Sequence, residues 1–287
     1  MPRSALPLRD GHQVGLLEGA REYFPALVAA LAAARTEILL ETYILDFTGS
    51  TLEVIDALML AARRGVRVQM LVDGVGTGTV APFWSARLLA AGVQLHTYAP
   101  LGALGLLIPS RWRRLHRKLV VVDGTLAFCG GINLLDDLHD PNHGALSAPR
   151  LDYAVRITGP LVADVHDTMS QLWLRVEAVQ RLRERQLVGA LETYRALRAL
   201  PAAAPVAGPL HSVHAAFLVR DNLRHRVRIE QAYRRAIGAA RQEVIIANAY
   251  FLPGRKLRMA LVTAAQRGVR VRLLLQGRYE YFMQYYA

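Results

Sequence analysis

The sequence predicts an α/β fold, a mixed β-sheet flanked by helices, laid down as one complete repeat and a truncated second one. Three observations carry this. Ala33-Ala-Arg-Thr-Glu-Ile-Leu-Leu40 returns as Ala239-Ala-Arg-Gln-Glu-Val-Ile-Ile246, and Ala61-Ala-Arg-Arg-Gly65-Val-Arg-Val68 returns as Ala264-Ala-Gln-Arg-Gly268-Val-Arg-Val271. Each copy runs helix, short turn, apolar strand, helix closed by glycine, apolar strand, the pattern of an open sheet with crossover helices. With 287 residues, 53% of them apolar, the chain can bury one large or two moderate cores.

In chain order, the first ten residues lack the unbroken apolar core of a signal peptide. The apolar stretches at Pro25–Ala34 and Leu101–Ile108 fall short of the roughly 20 residues that cross a bilayer, so a soluble or peripheral protein is expected. In the first copy the apolar strands begin at Glu37-Ile-Leu-Leu40 and at Val66-Arg-Val68. Gly74-Val-Gly76-Thr-Gly78 lacks the spacing of a nucleotide-binding loop and reads as a turn at the active-site end of the sheet. His116–Asp123 reads as a β-type run. Asp123-Gly124 is a two-residue hairpin signal that returns the chain towards Gly130. Tyr153–Ile157 is a further strand. Residues 161–200 read as helical, with Val165, Met169, Leu172 and Val176 on one stripe. The Pro- and Ala-rich stretch from Pro201 to Pro209 cannot continue a helix and reads as a linker. The expected organisation is therefore a first domain over 1–200, a linker over 201–210 and an incomplete second domain over 211–287.

Lys and Arg number 35 against 23 Asp and Glu, a formal charge of +12, which points to an anionic partner: nucleic acid, an acidic membrane surface or a phosphorylated substrate. The single cysteine, Cys129, excludes an internal disulfide and reads as a small buried hydrophobe. His139-Asp-Pro-Asn-His143 has a spacing open to metal ligation, but Pro and Asn make a loop with no helix to hold both rings on one side, so no metal is expected.

The chemistry concentrates at His116-Arg-Lys118. Two residues apart in an extended run, the imidazole and the ammonium face the same side. A phosphodiester is an anion that repels nucleophiles. Cleaving it without metal calls for a fixed cation on the non-bridging oxygens and a nucleophile beside it, roles that Lys118 and His116 fit. Gly130-Gly131, at the end of the returning strand, allow close approach of substrate to backbone, and Asn133 offers hydrogen-bond donors to phosphate oxygens.

The string His116-x-Lys118-x4-Asp123-x6-Gly130-Gly131-x-Asn133 resembles the signature of the phospholipase D superfamily. Its neighbours (Glu37-Ile-Leu-Leu-Glu41-Thr-Tyr43, Met70-Leu-Val-Asp73-Gly74, Asp152-Tyr153-Ala-Val-Arg156, Arg220-Asp221-Asn222 and Ile246-Ala-Asn248-Ala-Tyr250-Phe251) resemble the bacterial cardiolipin synthases. The resemblance implies a phospholipase D-like fold and transfer of a phosphatidyl group from phosphatidylglycerol through a phosphohistidine on His116. It implies Lys118, Gly131 and Asn133 at the phosphate, Asp123 within the motif, and Asp152 as the acid that orients His116. No cofactor is implied. Members carry two such motifs, and no second His-x-Lys occurs in these 287 residues. A missing half or a second subunit is then expected to complete the site.

Leu101–Ile108, followed by Arg111-Trp112-Arg113-Arg114, sets an apolar run and a Trp among arginines directly before His116. Leu106, Leu107, Trp112, Arg113 and Arg114 are the expected membrane contacts, with anionic phospholipid as partner and the cytoplasmic face of the membrane as location. Two other readings stay open: a phosphodiesterase acting on nucleic acid, and an inactive fragment that binds anionic membrane.

Overall fold

Short apolar runs rich in Val, Ile and Leu form the centre of an eight-stranded sheet, and the helices between them cover its two faces. The computed structural model describes residues 8–99, 114–140, 144–183, 213–219, 227–249 and 251–276. They divide into two units, one ending at Phe217 and the other beginning at Leu218.

The first unit runs β1 (Arg9–Glu18), α1 (Gly19–Ala33), β2 (Glu37–Thr42), α2 (Thr51–Arg63), β3 (Arg67–Asp73), α3 (Pro82–Ala90), β4 (Gln94–Tyr98), β5 (Leu119–Val122) and β6 (Leu126–Gly130). It continues with a short ribbon of β7 (His139–Asp140) and β8 (Gly144–Ala145), then β9 (Tyr153–Thr158), α4 (Leu161–Arg183) and β10 (Val213–Ala215). The sheet order is β10-β1-β9-β6-β5-β2-β3-β4. β2, β3 and β4 are parallel and joined by helical crossovers, while the remaining pairs are antiparallel. The expected mixed sheet is therefore observed. β10 pairs with β1, so the chain rejoins the first sheet after the Pro-rich stretch, and the boundary falls after Phe217 instead of at 201–210. That stretch, and the expected helix beyond Arg183, lie outside the described residues.

β2 is buried along both faces, as a strand must be when helices lie on each side. Ile38 and Leu40 pack with Phe24, Leu27 and Leu31 of α1 and with Val54 and Leu58 of α2. Leu39 faces the other way, onto Leu119, Val121 and the α4 residues Val162, Val165 and Met169. His166 of α4 contacts Glu37 of β2 at 2.8 Å, a polar tie across the same interface.

The β5–β6 hairpin turns at Asp123-Gly124, both at positive φ (49° and 61°), with Thr125 N donating to Val122 O; the ladder closes at Val122 opposite Leu126, so Thr125 joins the connection and the loop has three residues instead of the expected two. The Asp123 carboxylate accepts from the amides of Arg35, Thr36 and Glu37 at 2.8–3.0 Å and from the Thr36 hydroxyl. It thereby ties the hairpin to the α1–β2 turn. Burial pushes its pKa up, but those four donors outweigh burial and pull it down to about 2.

The second unit repeats the start of the first: α5 (Arg228–Ala239), β11 (Glu243–Asn248), α6 (Arg255–Gln266) and β12 (Arg270–Leu275), with β11 and β12 parallel. The repetition reaches single hydrogen bonds. The Arg64 guanidinium donates to Leu31 O and Ala34 O, and that of Arg267 to Ile237 O and Ala240 O. Gly65 and Gly268 take positive φ of 91° and 86°. β2 and β3 start in register at Glu37 and Arg67, and β11 and β12 at Glu243 and Arg270. Burial differs: Met70, Leu71 and Val72 are buried, whereas their counterparts Leu273, Leu274 and Leu275 are exposed.

Asp123→Asn retains a residue suited to positive φ but sets an NH2 group against the Arg35 amide. It should cost about 1–3 kcal/mol of stability in denaturant unfolding at pH 7. A carboxylate with a depressed pKa stabilises above its unfolded pKa and loses that effect as pH falls, so the wild-type advantage should vanish between roughly pH 4 and pH 2.

Candidate active site

Strand register brings the chemical groups to one end of the sheet. β2 and β3 end at Thr42 and Asp73, β6 ends at Gly130, and the antiparallel β5 and β9 begin at Leu119 and Tyr153. Residues just outside those limits, Tyr43, His116, Lys118, Gly131, Asn133 and Asp152, therefore gather where the strands stop, the usual place for a site in an α/β sheet.

The segment before β5 is fixed from both sides. The β-ladder starts at Leu119 and not at His116, because the preceding groups bond elsewhere. Leu115 N donates to Asp73 Oδ2 at 2.7 Å, and the Leu115 side chain packs with Leu71 and Trp173. Arg117 turns to the opposite side from its neighbours and pairs with Glu41 at 2.9 Å. Burial raises the Glu41 pKa to about 7, against the opposing pull of Arg117.

His116 and Lys118 lie side by side as expected, with Nζ 3.3 Å from Nε2. The imidazole is exposed and Lys118 is buried at 7% exposure. Desolvation lowers the Lys118 pKa to about 8 against the raising influence of Asp152 and Asp73, so it is mainly an ammonium at neutral pH. An ammonium only donates, which makes Nε2 the acceptor and puts the ring proton on Nδ1. The His116 pKa is also lowered, first by desolvation and then by the Lys118 charge, with Asp73 and its own main chain opposing. Desolvation and the Lys118 charge both favour the neutral ring, which sets its Nε2 lone pair beside a cation. Tyr43 backs both groups: its ring centroid is 4.8 Å from that of His116 and 5.3 Å from Lys118 Nζ.

The other expected site residues divide. The backbone of Gly131 leaves room for Asp152: a Cβ there would overlap the Asp152 carboxylate, and Gly131 N donates to Tyr153 O at 2.9 Å. Asp152 accepts from the amide of Tyr153 at 2.8 Å, and it feels the positive charges of Lys118 and Arg150 against the negative charge of Asp137. It makes no hydrogen bond to His116, so its carboxylate bears on the lysine in place of the expected orientation of the imidazole. Asn133 Oδ1 accepts from Ile44 N at 3.0 Å, which leaves Nδ2 as its donor end. Asp123 is not brought to the cluster: it lies at the far end of β5, engaged with the α1–β2 turn. Leu106, Leu107, Trp112 and Arg113 lie outside the described residues. Arg114 is partly buried next to Leu115. Among the described residues no group of His, Cys, Asp or Glu is arranged to hold a metal ion, and no helix is long and apolar enough to cross a membrane.

Two contributors carry no role in the reading of the sequence. Asp73 is fully buried and accepts from Leu115, Val75 and Gly76, so one carboxylate joins the β3 turn to the segment that carries His116. Its signal is an acid closing an apolar strand before Gly-x-Gly. Tyr43 gives none, because its contact depends on β2 ending where β5 begins.

Asp152→Asn removes a charge that raises the Lys118 pKa and should bring it below about 8. Asp123→Asn should leave it unchanged. NMR titration of the lysine side-chain signals checks both.

A family model described as "Cardiolipin synthase, PLD-like domain" matches residues 27–173 and 233–286. Cardiolipin synthase B of Salmonella typhi is 39% identical over 94% of this chain and 61% of its own length, and that of Escherichia coli K12 is 37% identical with the same coverage. Cardiolipin synthase A of Pseudomonas putida is 31% identical, covered over 55% of its length. The chain thus spans about 61% of the length of the B-type relatives. The crystal structure of phosphatidylserine synthase from Haemophilus influenzae Rd KW20 shares the fold, with a TM-score of 0.61 and 16% identity over 94% of this chain and 63% of that one. The chain belongs to the phospholipase D-like domain family of the cardiolipin synthases.

Proposed function

We propose that this chain carries the nucleophile half of a phosphatidyltransferase of the cardiolipin synthase type. The observation that carries the reading is the exposed imidazole of His116 with Lys118 Nζ 3.3 Å from its Nε2.

In the first step Nε2 attacks the phosphorus of phosphatidylglycerol. A nitrogen–phosphorus bond forms, the bond from phosphorus to the glycerol oxygen breaks, and glycerol leaves with a proton. Lys118 shifts from Nε2 to the non-bridging oxygens, and the Nδ2 of Asn133 donates to them, stabilising the charge that grows in the transition state. In the second step a hydroxyl of another phosphatidylglycerol attacks the phosphohistidine, giving cardiolipin and restoring the imidazole. A second histidine, from a further segment or another subunit, supplies the acid for the leaving oxygen, a contribution typically worth 10² to 10⁴ in rate. The protein works peripherally, on the cytoplasmic face of the membrane, and uses no cofactor.

With phosphate-labelled phosphatidylglycerol, the chain should acquire an acid-labile, base-stable label that His116→Ala abolishes. Label retained in that variant, or none in wild type supplied with its second half, overturns the reading. The +12 charge favours a phosphodiesterase of nucleic acid as a second reading, which predicts label from a nucleic acid and none from lipid.

The labelling rate should follow a bell-shaped pH profile. Its acid limb reflects protonation of His116, whose pKa lies below 6.5, and its alkaline limb reflects loss of the Lys118 proton near pH 8. Lys118→Arg should move the alkaline limb upward, because a guanidinium does not deprotonate in that range, while lowering the maximum.

A further inference from the structure

In the second unit a groove of about 800 Å³ runs between α5 and α6. Its walls are one stripe from each helix: Gln231, Arg234, Arg235 and Gly238 from α5, and Lys256, Met259, Ala260 and Thr263 from α6, closed by Arg267. Both stripes have the i, i+3, i+4, i+7 spacing of a single helix face. Four cations line it, and no acidic side chain does so among the described residues. Arg267 is committed to the carbonyls of Ile237 and Ala240, and Arg234 lies 3.9 Å from Glu230 on its own helix. Met259 stands 54% exposed between the cations.

The repeat supplies an internal control. The Arg64 and Arg267 hydrogen bonds align the two helix pairs residue by residue. In the first unit the positions matching Arg234, Arg235, Lys256 and Met259 are Val28, Ala29, Glu53 and Asp56. Packing therefore does not demand cations in this groove, because the same backbone is built there with two acids and two apolar residues. The basic charge of the second copy is a property of its surface.

We propose that the α5–α6 groove of the second unit docks on anionic phospholipid head groups. Arg234, Arg235 and Lys256 would engage lipid phosphates, with Met259 entering the interface between them. An array of phosphates presented by a bilayer suits three cations spread along two neighbouring helix faces, and an exposed thioether among them suits the head-group boundary. The choice of lipid over other polyanions rests on the phosphatidyltransferase reading. None of the groove residues belongs to the His116 cluster.

The test is co-sedimentation of the 287-residue chain with vesicles of phosphatidylcholine alone or with 30 to 50% phosphatidylglycerol, a composition range chosen on the order of anionic leaflets. Wild type should bind the anionic vesicles and not the neutral ones. The triple variant Arg234→Gln, Arg235→Gln, Lys256→Gln should bind on the order of 100-fold more weakly, from roughly tenfold or less per cation. A control variant, Arg21→Gln, Arg35→Gln, Arg63→Gln, removes the same charge from the first unit and should bind nearly as wild type. Circular dichroism verifies that both variants fold. If the groove variant misfolds, the single variant Lys256→Gln should still weaken binding several-fold. Equal losses in groove and control variants, unchanged binding by the groove variants, or wild type that ignores anionic vesicles would each overturn the proposal. Groove-dependent binding to an oligonucleotide with none to vesicles would overturn it in favour of nucleic acid. Phosphohistidine labelling of His116 is read independently, so failure of that chemistry and failure of the groove are distinguishable.

Discussion

The structure is organised around a lysine ammonium kept largely out of water. Lys118 retains 7% of its exposure, and a cation so placed needs compensation from fixed groups. Asp152 and Asp73 supply opposing charge, Tyr43 supplies an aromatic face, and His116 accepts a hydrogen bond. Each of those groups stands at the end of a different strand or just beyond it. The sheet is in this sense the frame that holds the compensation together. Burial and, after it, the cation favour the neutral imidazole, and the cation orients its lone pair.

Much of this was legible in the sequence because the signals were local. The helix–strand–helix–strand repeat, the Asp123-Gly124 turn and the pairing of His116 with Lys118 depend on spacing alone, and spacing survives folding. What could not be read depends on register. Asp152 acts on Lys118 through its charge and makes no hydrogen bond to His116; β9 enters the sheet beside β6, where the missing side chain of Gly131 opens space for the carboxylate. Asp73 reaches Leu115 across 42 residues of sequence. The return of Val213–Ala215 to the first sheet was hidden for a related reason: three residues are too few to show a period, and their partner is at the other end of the unit.

The two copies show which parts of the repeat the fold requires. The arginine that binds the end of the preceding helix, the left-handed glycine after it and the strand register are the same in both. The outward helix stripes differ in charge and polarity. Groups that hold a turn together were retained, while groups facing solvent were free to take on separate tasks.

The clamp at Asp123 has a consequence beyond the turn it holds. Side chains of a strand alternate between faces, so a shift of β5 by one residue against β2 would turn Arg117 towards the open end of the sheet and send His116 and Lys118 towards α4. A carboxylate bound to three successive amides of the neighbouring turn admits one alignment only. Far from any substrate, it acts as a detent, choosing which of two opposite faces of the same tripeptide does chemistry.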